Sequence, residues 1–85
     1  MIEIQFRFFG AMREFGAGMS LAVPAGLSVR ELKERLGAAL AASHPAFRPG
    51  LLAQSAVGDA RAVLAETDRV EQAGELAVLP PVCGG

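Results

Sequence analysis

The chain has no tryptophan and no tyrosine, and only one cysteine, one histidine and one lysine. Each shortage removes a class of function. Without Trp or Tyr the usual stacking platform for single-stranded bases is missing, leaving five Phe. Cys83 alone closes no internal disulfide, and with His44 it makes no credible ligand set for a metal, so neither a metal nor a bound cofactor is expected. Positive charge is not in excess either. The net charge is -1, and Arg7, Arg13, Arg30, Arg35, Arg48, Arg61 and Arg69 are scattered among acids, with no basic stripe to neutralise phosphates, which argues against nucleic acid as a partner. Long apolar runs are absent as well: none approaches the roughly 20 residues that cross a bilayer. Glu3 and Arg7 interrupt the first residues, which carry no basic region followed by an apolar one, so no secretory signal is read and a cytoplasmic protein without membrane partner is expected.

What is present suits a small globule. Eighty-five residues, 52% hydrophobic and 20% charged, suffice for one domain that buries about 60% of its unfolded-chain surface. Ile2, Ile4, Phe6 and Phe8 alternate with Glu3, Gln5 and Arg7, the period of a half-buried strand. A connection over residues 10–18 leads to Met19, Leu21 and Val23, a second strand that ends at Pro24-Ala25-Gly26 and pairs with the first as a hairpin. Ser28 stands three residues before Glu31, the spacing of a capping box, with Leu27 and Leu32 as its hydrophobic staple. Val29, Leu32, Leu36 and Leu40 then make one stripe, with Arg30, Lys33, Glu34 and Arg35 opposite, until His44-Pro45 ends the helix.

Phe47-Arg48-Pro49-Gly50 reads as a turn, residues 51–57 as a short strand and Gly58-Asp59 as a turn. Residues 60–64 are a candidate returning strand, Thr67-Asp68 and Ala73-Gly74 further turns, and Leu76-Ala77-Val78-Leu79 a buried strand. Pro80 and Pro81 donate no backbone hydrogen bond, so pairing stops there and the chain leaves the body extended. The order hairpin, helix, strands predicts an α+β domain, one main helix on a mixed sheet, over residues 1–81, with 82–85 as a flexible tail.

That tail is Val82-Cys83-Gly84-Gly85. A carboxylate is a poor electrophile and reacts only once activated, typically by adenylation. Two residues without Cβ atoms let a chain end thread a narrow channel, while a Pro-Pro base holds it off the body. The ending Leu79-Pro80-Pro81-Val82-Cys83-Gly84-Gly85 resembles that of the small subunit of molybdopterin synthase, a MoaD/ThiS-type ubiquitin-like sulfur carrier, which commonly ends in Phe-Pro-Pro-Val, one variable residue and Gly-Gly. The resemblance extends to Phe8-Phe9-Gly10-Ala11-Met12-Arg13-Glu14-Phe15, to Ser28-Val29-Arg30-Glu31-Leu32 and to Ala73-Gly74-Glu75, similar to a turn usually written Gly-Asp-Glu. Two departures are Leu79 in place of Phe and an Ala-rich stretch over 37–46.

The resemblance implies a β-grasp fold and a sulfur cycle. An E1-like enzyme would use ATP to adenylate Gly85, a sulfur donor protein would convert it to a thiocarboxylate, and the large synthase subunit would use that sulfur to build the molybdopterin dithiolene. In that cycle this chain is a non-catalytic sulfur-carrying subunit. Gly84 and Gly85 are the reactive end, and Pro80, Pro81, Val82, Cys83, Arg13 and Phe9 are candidate partner contacts, Phe9 because it falls on the polar side of the first strand. Cys83 occupies the variable position and reads as a small hydrophobe. Phe15 is a weaker candidate for an apolar patch, and His44 reads as a helix C-terminal residue. Carriers for thiamine or other sulfur pathways share the Gly-Gly end, as do protein modifiers joined to target lysines. Lys33 as sole lysine excludes chains built through several lysines.

Overall fold

The computed structural model describes residues 1–81. The period of two yields β1 (Ile2–Phe8), with Ile4, Phe6 and Phe8 buried and Glu3, Gln5 and Arg7 exposed. It pairs antiparallel with β2 (Gly18–Val23), Ile2 opposite Val23 and Arg7 opposite Gly18. The connection between them winds into a 3-10 helix (Gly10–Phe15) that buries Met12 and Phe15. Phe15 packs edge-on against Phe47 and His44, with ring centroids 5.3 and 5.4 Å away. It is therefore core, and no part of a partner-facing patch.

After β3 (Leu27–Ser28) comes α1 (Val29–Ser43), whose N-terminus carries the expected capping box. The Glu31 amide donates to Ser28 Oγ at 3.1 Å and the Ser28 amide donates to Glu31 Oε1 at 3.0 Å. These bonds satisfy two of the amides that a helix start leaves orphaned. Ser28→Ala is expected to cost about 1 kcal/mol, read from urea unfolding. The backbone and hydroxyl bonds from Ser28 also lower the Glu31 pKa, as the amides of Arg61 and Ala62 lower that of Asp59. A lowered folded-state pKa gives stability that is present above the unfolded value and lost as pH falls through the folded one. Both contributions should thus vanish only in acid, below the ordinary carboxylate range.

Val29, Leu32, Leu36 and Leu40 bury their stripe in the sheet, and the helix ends at His44, whose amide donates to the Leu40 carbonyl at 2.7 Å. Two expectations need correction beyond it. Residues 51–57 are not one strand: Pro49 seeds a short helix, α2 (Pro49–Ala53), because its fixed φ suits a first helical turn. The strand that follows, β4, covers only Ala56–Gly58. Lys33, read as part of the solvated face, is buried, with 7% of its surface exposed.

The chain continues as β5 (Val63–Leu64), β6 (Arg69–Val70) and β7 (Gly74–Leu79), so Gly74 begins a strand and does not close a turn. The main sheet has the order β2-β1-β7-β4-β5, and β3-β6 form a separate two-stranded ladder. β7 enters the middle, parallel to β1 (Phe8 opposite Val78) and antiparallel to β4 (Val57 opposite Val78). A mixed sheet clasping one main helix is the expected α+β β-grasp arrangement. Among the described residues no helix is long and apolar enough to cross a membrane.

Candidate functional site

Because β7 runs parallel to β1, both strands end on the same edge of the body. The Phe9 amide still reaches the Val78 carbonyl at 3.3 Å, extending the ladder by one bond. Pairing with β4 ends at Leu79 opposite Ala56, where Pro80 removes the next donor. The chain thus leaves the centre of the sheet, between the 3-10 helix and the start of β4. Pro80 is half-buried and Pro81 exposed. Val82, Cys83, Gly84 and Gly85 lie outside the described residues.

The pleat sorts this region into two faces. Leu76, Val78 and Val57 point to the helix and are buried. The intervening residues point outward, and registers align them: Arg7 beside Ala77, Leu79 beside Ala56, Gly58 beside Val63. One half of that outer face is polar, with Ser20 Oγ donating to Gln5 Oε1 at 2.6 Å and Arg7 3.5 Å from Glu75. The half beside the departing chain is apolar: Ala56, Ala77 and Leu79 are half-buried, Val63 is 63% exposed and Phe9 38%. The Arg7 guanidinium stands 5.7 Å from the Phe9 ring centroid, which places one cation on the border between the halves.

Of the sequence-derived candidates, Phe9 and Pro80 share one margin of the sheet: the Phe9 amide bonds the Val78 carbonyl, and the next residue, Gly10, lies against the Pro80 ring. Arg13 is exposed on the 3-10 helix, three residues after Gly10 and so on the same edge of that helix. It makes no salt bridge among the described residues. Val63, Ala56, Ala77 and Leu79 were missed as surface. Their common face follows from a register between segments far apart in sequence, which no local periodicity announces.

Lys33 is occupied elsewhere. Its ammonium donates to the Ala53 carbonyl at 3.0 Å, the Ser55 carbonyl at 2.8 Å and Glu66 Oε2 at 2.9 Å, so all three protons are engaged inside the fold. The chain's sole lysine is therefore a poor acceptor for acylation. Among the described residues, no group of three or more His, Cys, Asp or Glu side chains is placed to hold a metal.

No protein-family profile matches this chain, and no curated protein matches it by sequence. Solved structures do. SAMP1 from Haloferax volcanii superposes with a TM-score of 0.70 at 21% identity, covering 98% of this chain and 99% of its own. A Pyrococcus furiosus protein provisionally assigned as molybdopterin converting factor, subunit 1, gives 0.70 at 16% identity over 96% and 100%. Caldiarchaeum subterraneum ubiquitin gives 0.64 at 14% identity over 99% and 98%. At such identities the likeness speaks for architecture, and over nearly the whole of each chain that architecture is the ubiquitin-like β-grasp.

Proposed function

We propose that this chain is a sulfur carrier whose Gly85 carboxylate is adenylated by an E1-like enzyme and then thiocarboxylated, and that it delivers this sulfur as the small subunit of a molybdopterin synthase. The observation that carries the reading is the exit of the chain: the central strand ends at Leu79, followed by Pro80-Pro81 at the margin of the body, beside the apolar half of the outer face. Four residues follow Pro81, a reach of at most about 14 Å when extended. A partner that covers the apolar half of the sheet can therefore receive the terminal carboxylate in a recessed site.

The chemistry asks nothing catalytic of this chain. A Gly85 carboxylate oxygen attacks the α-phosphorus of ATP and pyrophosphate leaves. A sulfide equivalent from a donor protein then attacks the acyl adenylate, forming the C–S bond as AMP departs. ATP belongs to the activating enzyme, in the cytoplasm. The Pro-Pro-Val step favours molybdopterin over thiamine as the pathway. The sequestered Lys33 speaks against a modifier that builds lysine-linked chains on itself.

The test is assembly with a cognate large subunit. Co-purification should be lost or much weakened by deletion of residues 82–85. Val63→Asp should weaken it about tenfold or more, since a charge set into an apolar contact must be desolvated. Undiminished binding of both variants would contradict docking through this face and tail.

A further inference from the structure

The ladder between β1 and β7 ends in a steric contact that no hydrogen bond explains. One residue beyond the Phe9–Val78 bond, Gly10 takes φ +55°, and a Cβ built on it would stand 3.0 Å from Pro80 Cγ and 3.7 Å from Pro80 Cδ. Contact between carbons is optimal at about 3.5–4.0 Å, so a side chain there would crowd the ring. The missing Cβ is what lets the proline ring seat on the first residue of the 3-10 helix.

That seat has mechanical consequences. Proline fixes φ at about -65°, and a residue before proline is confined to extended backbone. Leu79 precedes Pro80 and Pro80 precedes Pro81, so this stretch turns as a stiff unit. The free choice left to it is how the Pro80 ring rests on the body. We infer that Gly10 is a positioning residue, which by seating Pro80 sets the direction in which the chain departs toward the activating enzyme. The inference rests on the reading of Gly85 as the activated group.

Gly10→Ala makes the Pro80 ring give by a few tenths of an ångström and so redirects the base of the tail, a fraction of the roughly 1 Å misplacement that costs a reacting group about 100-fold. The expected loss is about tenfold in kcat for carrier-dependent pyrophosphate release by a cognate E1-like enzyme. KM for the carrier should change little, because the outer face is untouched. Ala at positive φ also strains the backbone, and two comparisons separate that effect. Gly16 has φ +113° with nothing within 4 Å of its would-be Cβ, so Gly16→Ala imposes strain in the same connection without touching Pro80 and should leave kcat unchanged. Pro80→Ala removes the ring atoms that a side chain at position 10 would meet. In that background Gly10→Ala should cost less than about twofold.

Equal cost of Gly10→Ala in the wild-type and Pro80→Ala backgrounds would assign the loss to backbone strain and overturn the inference. So would an undiminished kcat, or a loss confined to KM. A wild-type chain that supports no pyrophosphate release would instead sink the reading of Gly85 itself. An active wild type with uncoupled variants sinks the positioning role alone.

Discussion

Lys33→Ala is expected to destabilise the fold by about 2–4 kcal/mol, because three charge-assisted hydrogen bonds end on one buried ammonium. The three acceptors differ in what they lose. The Glu66 side chain is 56% exposed and regains water, so its share is small. The Ala53 carbonyl is only part-buried and regains water as well, whereas the Ser55 carbonyl is buried, and an unsatisfied buried acceptor costs about 1–3 kcal/mol, to which the lost packing of the lysine stem is added. For a chain of this size the loss lowers Tm by on the order of 10–20 °C. Urea unfolding of Lys33→Ala and Lys33→Met separates the parts, since Met fills the stem's volume and restores none of the bonds. Met should recover about 1 kcal/mol. A Lys33→Ala chain as stable as wild type would contradict the internal role assigned to this amine.

The same residue shows where sequence reading stops. Val29, Leu32, Leu36 and Leu40 define a helical stripe by local spacing, and the stripe is buried as expected. Lys33 sits among polar neighbours and belongs by that logic to the solvated side. Its acceptors lie 20, 22 and 33 residues away, beyond the range of any periodicity. The capping box of Ser28 and Glu31 was legible because both partners fall within one turn. α2 was not. Leu51-Leu52-Ala53 is apolar in a row and fits a strand as readily as a helix, and Pro49 at the first helical position decided it.

The candidate site divides the same way. Pro80-Pro81 announced the end of the last strand, since residues without an amide proton end a ladder wherever they occur. The apolar outer face was hidden, because Phe9, Leu79, Ala56 and Val63 meet only through a sheet order in which the last long strand slips between the first and the fourth. The pairs β3 with β6 and β4 with β5 are two-residue ladders, too short for an alternation to register. What local chemistry dictates was readable, and what the register assembles was not.

Removal of Gly85 is expected to reduce activation of the chain end below detection, the largest effect of any substitution considered. Loss of one residue withdraws the carboxylate by about 3.5 Å, several times the misplacement that already costs about 100-fold. Gly84→Ala keeps length and carboxylate but adds a Cβ and narrows φ, and should slow the reaction without abolishing it. The most direct measurement is the intact mass of the wild-type chain after incubation with ATP, a cognate E1-like enzyme and a sulfur source. The expected result is the increment of one sulfur-for-oxygen exchange, localised to the C-terminal peptide and absent from the Gly85 deletion. An unchanged mass with an enzyme that activates a related carrier, together with a Gly85 deletion that complements a carrier-deficient cell as well as wild type, would contradict it.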